Sequence, residues 1–246
     1  MVFAGKVYET DGANAIAVHE ADAIRPLSPV PLAPSLRIFR NDLQPSPGPE
    51  TEDPSFFYGN PLAIVGTNQL IQYPGFTKRV AFEPYVAAVL VSQGYRVDQE
   101  VADDMILGIT VLSLLTAPDA AGTLPSGAGA LGRSIDLGAG FGPVLTTPDE
   151  LDDFLVDQQF GRRYRLEAVA RINGVERSRG NLEHLPWTFA EAITSASQSC
   201  TVREGDIFVM GPIVDTTEPL FLEEGDEYQI AVENLGTLSL KLSQEL

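Results

Sequence analysis

Apolar residues along this chain fall in short blocks of strand length. Val80–Val91 (VAFEPYVAAVLV) and Gly108–Leu115 (GITVLSLL) are nearly continuous apolar runs, the pattern of strands buried on both faces. Ala63–Val65, Tyr164–Ile172, Asp206–Met210 and Glu227–Val232 are shorter runs bounded by turn residues and also predict strands. Alternating segments around Val2–Tyr8 and at Ala15–Val18 precede them. Helical signals are few. Thr147–Leu155 opens with a hydroxyl, then Pro148 and the acids Asp149 and Glu150, which predicts a helix start. Thr188–Ser197 carries Glu191 at the spacing of a capping box. Asn173-Gly174 between apolar segments predicts a two-residue hairpin turn, and Glu224-Gly225-Asp226 and Glu233–Thr237 predict further reversals. The sum is a strand-rich α+β fold with a few short helices.

The text before Phe56 differs in character. Residues 1–55 read as a small N-terminal lead that ends in Pro-rich connection (PLSPVPLAP) and an acidic Pro/Ser loop (NDLQPSPGPETEDPSF), and residues 56–246 as the main domain. The 246 residues suit this division, and 44% hydrophobic with 20% charged residues is ordinary for a globular protein. No apolar run approaches membrane-spanning length and no basic-then-apolar leader is present, so a soluble cytoplasmic protein is expected.

A net charge of -18 changes the picture of partners. A field of that sign repels phosphate backbones and anionic lipid surfaces, so neither nucleic acid nor a membrane is expected. An acidic substrate would have to be drawn in by local arginines. Cys200 is the single cysteine, which excludes an internal disulfide. The two histidines, His19 and His184, stand in no catalytic pattern, so a thiol nucleophile lacks its base. No CxxC, HExxH, GxSxG or P-loop occurs. The glycine-rich run Gly138–Gly142 has the wrong spacing for a dinucleotide loop and reads as irregular, closely packed backbone.

Several stretches together resemble the fumarylacetoacetate hydrolase family, from about Phe56 to the C-terminus. They are Gly132–Asp136 with Phe141–Leu151, Arg171–Gly174 with Arg177 and Asn181, Arg203–Ile207, and Leu222–Asp226 with Leu235–Leu238. The resemblance implies a mixed β-sandwich roll, a homodimer, and chemistry on enolisable 2-oxo or 1,3-dicarbonyl compounds. It also implies a divalent Mg²⁺ or Mn²⁺ held by two glutamates two residues apart on a strand and an aspartate on the next. Such a metal polarises the carbonyl that becomes an enolate.

Matched position by position, that metal site is broken here. In Phe82-Glu83-Pro84-Tyr85, Glu83 matches the first glutamate and Tyr85 stands at the second. Leu114 occupies the aspartate position, Pro118 replaces a substrate-gripping arginine, Arg133 replaces a lysine, and Pro212 falls where a substrate-binding threonine is expected. One carboxylate, a phenol and a leucine do not make an octahedral oxygen site, so no metal and no other cofactor is expected. The reading is a metal-independent enzyme for a hydrophobic, enolisable or conjugated carbonyl compound, of the kind met in natural-product metabolism. Cyclisation, dehydration, isomerisation and a pericyclic step all fit. Glu83, Tyr85 and Arg133 are its candidate catalytic residues, and Leu114, Pro118, Asp136 and Met210 its candidate substrate-binding residues. Two alternatives stand beside it: a non-catalytic relative that keeps the fold, and a metal enzyme with displaced ligands such as Asp103 or Asp104. Structural roles compete for the same residues. Glu83 can pair with Arg79 or Arg133, Arg133 with Asp136, Tyr85 and Trp187 can be packing residues, and His184 a surface residue.

Overall fold

The structure is a computed structural model, and it describes residues 2–3, 6–10, 15–20, 27–30, 32–40, 54–121, 132, 134–215 and 218–243. The strands β1 (Val2–Phe3), β2 (Lys6–Thr10) and β3 (Ala15–Glu20) form a small antiparallel sheet. The chain continues through β4 (Leu36–Arg40), β5 (Phe57–Gly59), β6 (Ile64–Val65) and β7 (Gln69–Gln72). The long strands β8 (Val80–Leu90) and β9 (Ile106–Thr116) flank helix α1 (Gln99–Asp104). Helix α2 (Pro118–Ala121), β10 (Ala139–Thr146), a 3-10 helix over Pro148–Phe154, β11 (Leu155–Asp157) and β12 (Arg163–Tyr164) come next. The hairpin β13 (Glu167–Ile172) and β14 (Val175–Asn181) leads to helix α3 (Phe189–Ser199). The last strands are β15 (Ile207–Gly211), β16 (Leu220–Leu222), β17 (Glu227–Val232) and β18 (Gly236–Ser243).

Two sheets make the body. The main sheet has the order β5-β4-β15-β8-β9-β10-β6, with β16 beside the first part of β8; the second has the order β14-β13-β17-β18-β7. Both are mixed, because β4 runs parallel to β15, β6 to β10 and β7 to β18. The main sheet curls, since Phe57 and Ile64, from strands at its two ends, pack against one apolar cluster. That cluster fills the concave face with Leu36, Ile38, Tyr85, Ala87, Leu112, Leu114, Phe141 and Val209. The convex face packs on the second sheet through Phe82, Val86 and Ala88 against Ile230, Leu238 and Leu240, with Phe82 stacked on Tyr228 at 4.6 Å. Strands β8 and β9 are therefore covered on both faces, which is why they read as continuous apolar runs. Truncating one such side chain, as in Phe82→Ala, would cost about 3–5 kcal/mol.

The strand-rich α+β architecture is the one expected, and several local signals match it. Asn173 and Gly174 both have positive φ (51 and 77) and form a two-residue turn between the paired Ile172 and Val175. Thr188 caps α3 in a full capping box with Glu191. The segment after Thr147, expected as an α-helix, is a 3-10 helix instead. Thr147 makes no side-chain cap there, and the acids Asp149, Glu150, Asp152 and Asp153 repel one another along PDELDDF with no basic residue in the last turn. The run Gly138–Gly142, expected as irregular backbone, is strand from Ala139, paired in step with β9 as far as Gly142, where φ is positive and the register shifts. Its close packing is real, because a Cβ on Gly140 would lie 2.1 Å from Leu240 Cδ1 on the second sheet.

Candidate active site

On β8, Glu83 and Tyr85 are two residues apart and so share the concave face. The Tyr85 hydroxyl donates to Glu83 Oε2 at 2.7 Å, and the tyrosine itself is 0% exposed. A third residue arrives from two strands away. In β4, Leu36 and Ile38 face the concave cluster, and Arg40 has the same parity. Strand β15 lies between β4 and β8, with Gly211 paired to Arg40 on one side and Met210 paired to Val86 on the other. Gly211 thus separates Arg40 from Tyr85 and offers no side chain in between. A Cβ there would lie 2.6 Å from Tyr85 Cδ1. Over this gap Arg40 Nη1 reaches both oxygens of Glu83, at 3.1 Å from Oε2 and 3.2 Å from Oε1. The side chains of Arg40 and Glu83 remain 18% and 21% exposed. Solvent, and hence a ligand, can touch the carboxylate and the guanidinium but not the phenol.

Directly across the ladder, Leu114 of β9 is the partner of Glu83 and is buried. Behind them the chain leaves β15 at Gly211-Pro212 and returns a backbone N–H from Ile213 to the Pro84 carbonyl at 2.9 Å. Glu83, Tyr85 and Leu114 are therefore brought together, with Pro212 close by. Pro118 begins α2 four residues beyond Leu114 and is exposed. Asp136 is exposed and accepts a 2.6 Å hydrogen bond from Asn60 Nδ2. Arg133, and with it the Arg133–Asp136 pairing, lies outside the described residues. Met210 sits next to Gly211 with opposite parity, so its side chain joins the core between the sheets, near Ile109, Tyr164 and Phe189.

Among the described residues the cation beside Glu83 is Arg40 and not the expected Arg79, while the other expected partner, Arg133, lies outside them. The Arg79 guanidinium instead lies over the Phe221 ring, 4.2 Å from its centre. Sequence spacing hides the true pair, because Arg40 and Glu83 are 43 residues apart and meet through an intervening strand. LRIFR does not alternate in polarity, so the sequence carries no signal for the pair beyond the strand parity that puts Arg40 on the face of Leu36 and Ile38. Asp119 accepts from the Thr77 hydroxyl and from the Lys78 N–H, and these bonds hold its carboxyl below the usual carboxylate range. They tie the approach to β8 onto α2, beside the site. Trp187 is partly buried against the core, and His184 is exposed.

Two open grooves lie elsewhere. One of about 640 Å³ beside β14 and β16 is lined by Arg177, Asp215, Phe221, Glu223 and Asp226. Another of about 920 Å³ follows α3 past Phe160, Trp187 and Glu191. Neither includes Glu83. The Glu83 cluster is favoured over them because a guanidinium and a buried phenol both bear on one carboxylate that stays open to solvent.

The divalent metal implied by the resemblance does not fit these residues. Both oxygens of Glu83 are already engaged by Arg40, and Oε2 also by Tyr85. The cross-strand position supplies the methyl groups of Leu114 in place of an oxygen ligand. Among the described residues no group of three His, Cys, Asp or Glu side chains is placed to hold a metal. Displaced ligands do not repair this. Asp103 is ion-paired with Arg162 at 2.9 Å, before the start of β9, and Leu114 lies eight residues beyond that start, at Ile106. The strand alone separates the two ends by roughly 25 Å.

Comparison with known proteins agrees with the architecture. Residues 36–243 match the family described as fumarylacetoacetate (FAA) hydrolase C-terminal. The oxaloacetate tautomerase YisK of Bacillus subtilis is 27% identical over 193 residues, 76% of this chain and 60% of the relative. The chain thus spans three fifths of that protein's length. An uncharacterised protein of Pyrococcus abyssi, PYRAB13970, is 28% identical across 90% of this chain and 92% of its own. Among solved structures, 2-hydroxyhepta-2,4-diene-1,7-dioate isomerase of Mycobacterium marinum superposes with a TM-score of 0.75 at 24% identity, covering 94% of this chain and 83% of that one. The family match takes in β4 and its Arg40 together with nearly all the sheet framework, and on that ground the chain belongs to the fumarylacetoacetate hydrolase C-terminal family.

Proposed function

We propose that the protein is an isomerase- or tautomerase-type enzyme that moves a proton between carbon and oxygen of an enolisable carbonyl compound, with Glu83 as proton carrier and without a bound metal. The observation that carries this reading is the Glu83 carboxylate, oriented by two donors yet open to solvent. In the reaction an oxygen of Glu83 takes a proton from the carbon next to the carbonyl. The C–H electron pair becomes the C=C bond, and the carbonyl pair moves onto oxygen. Glu83 then returns the proton to that oxygen, and the sequence runs equally in reverse. Such a positioned base contributes about 10²–10⁴-fold. Tyr85 is buried and cannot touch a substrate, so it is a positioning residue that fixes the carboxylate through its hydrogen bond. Membership of a family whose relatives include named tautomerases supports this class of chemistry.

The substrate in this reading is largely apolar. Pro118 and Pro212 stand where the resemblance places an arginine and a threonine that hold substrate, and a net charge of -18 works against an anionic ligand. A homodimer is part of the same proposal. The test is ketonisation of enol-phenylpyruvate, an apolar enolisable acid, compared with oxaloacetate. Wild type should accelerate phenylpyruvate more, and Glu83→Gln should lose about 10²–10⁴-fold in kcat at unchanged melting temperature. Parental rates in the Glu83→Gln protein would refute the assignment.

A further inference from the structure

We infer that the Arg40 guanidinium stands in the place a divalent cation would need at Glu83 and takes over its electrophilic task. The chemistry of this inference rests on the proton-transfer reading above, but the geometry does not. Arg40 Nη1 lies 3.1 and 3.2 Å from the two oxygens of one carboxylate, in the region where a cation bound to Glu83 would sit. A metal there would lie at about 2.0–2.6 Å from the same oxygens. Two cations cannot share that region without strong repulsion.

The surroundings are consistent with one permanent charge. Arginine stays charged at any working pH. Its ion pair with Glu83 already occupies that carboxylate, whereas a divalent ion there would call for several oxygen ligands. The neutral Tyr85 and Leu114 fill the remaining positions. Delivery is built into the sheet: Arg40 ends β4, is paired with Gly211, and crosses β15 where that residue has no side chain. The guanidinium is thus held on strand backbone.

The consequence is one of specificity. A metal would supply Lewis-acid polarisation and open coordination positions, whereas a guanidinium offers directed N–H donors and an attraction weakened by its partner Glu83. An enolate formed by Glu83 would be met by positive charge within the same ion pair. The ligand class that fits is a compound that presents one carbonyl acceptor at this point.

Competition between Arg40 and a metal is measurable without any substrate. Tyr85→Glu with Leu114→Asp rebuilds three carboxylates, and Mn²⁺ binding is followed by loss of its free EPR signal. Adding Arg40→Ala to that pair should tighten Mn²⁺ binding at least about ten-fold, a difference of about 1.4 kcal/mol. Equal binding with and without Arg40 overturns the inference, while the Glu83→Gln kinetics separately decide the proton-transfer reading. Where the rebuilt variants do not fold, Arg40→Ala alone decides. Its lost phenylpyruvate turnover should return with free guanidinium ion at tens of millimolar and not with Mn²⁺. Rescue by Mn²⁺, or no rescue by guanidinium, contradicts it.

Discussion

Gly211 and Tyr85 meet across β15 and β8 with no space for a methyl group between them: a Cβ on Gly211 would lie 2.6 Å from Tyr85 Cδ1 and 3.1 Å from the Pro84 carbonyl oxygen. The same bare position is what Arg40 crosses to reach Glu83. Gly211→Ala must displace the ring, and so is expected to cost about 1–3 kcal/mol of stability and to lower kcat more than the stability loss explains. Urea denaturation beside steady-state kinetics checks both. A variant with wild-type stability and turnover would show that the close approach is slack.

Tyr85→Phe keeps the ring and removes only the donor to Glu83. Because the phenol is buried, its effect on the reaction passes through the carboxylate it orients. Turnover should fall about ten-fold while KM stays within about two-fold, and stability should drop by roughly 1 kcal/mol. A loss carried by KM alone would mean that the tyrosine shapes binding and does not aim Glu83.

Arg37 and Asp206 form a second, deeper ion pair at 2.7 Å, with side chains only 4% and 2% exposed. Ser35 donates to Asp206 at 2.8 Å, and the guanidinium lies near the rings of Phe56, Tyr58 and Phe208. Asp206→Ala leaves a buried positive charge uncompensated and should destabilise by about 3–5 kcal/mol. Adding Arg37→Met should recover a large part, since an apolar pair removes the stranded charge. Additive losses in denaturant titrations would argue that the two side chains act independently.

Tyr228 is one buried phenol whose burial links stability to alkaline pH. Burial pushes its phenol above the ordinary 10.0, and the Ser113 hydrogen bond at 3.2 Å only partly opposes this. The raised value means its contribution is complete below the unfolded value and is lost as pH rises above it, because the unfolded chain ionises first. Each such group adds at most about 1.4 kcal/mol per pH unit to the slope. Tyr228→Phe should therefore be less stable than wild type near neutrality, yet lose stability less steeply above about pH 10. Identical slopes would show that the phenol ionises equally in both states.

Much of the framework was legible in the sequence because its signals are local. Val80–Leu90 and Ile106–Thr116 announce themselves as doubly buried strands, Asn173-Gly174 as a hairpin turn, and Thr188 with Glu191 as a helix cap. Among the strands that escaped notice are Leu36–Arg40, Gln69–Gln72, Ala139–Thr146, Val175–Asn181 and Gly236–Ser243, whose text is polar, glycine-rich or short. Their burial depends on neighbours far along the chain. β4, for example, is held by parallel pairing to β15, whose Gly211 lies opposite Arg40. The site divides the same way. Glu83, Tyr85 and Leu114 could be placed together from the matched strands, whereas Arg40 could not, since its partner lies beyond an intervening strand. The parity of Met210, which turns its side chain to the opposite face, was readable only once its strand had neighbours.

In the proposed reaction the site carries protons on Glu83, with a guanidinium beside it where the family resemblance implies a metal. The most direct measurement is deuterium incorporation into phenylpyruvate by metal-stripped protein in D₂O with EDTA present, followed by NMR, for wild type and Glu83→Gln. Wild-type exchange should be unaffected by the chelator, and exchange by Glu83→Gln should fall by about 10²-fold or more. Exchange that EDTA abolishes and Mn²⁺ restores in the wild-type protein would contradict the proposed reaction.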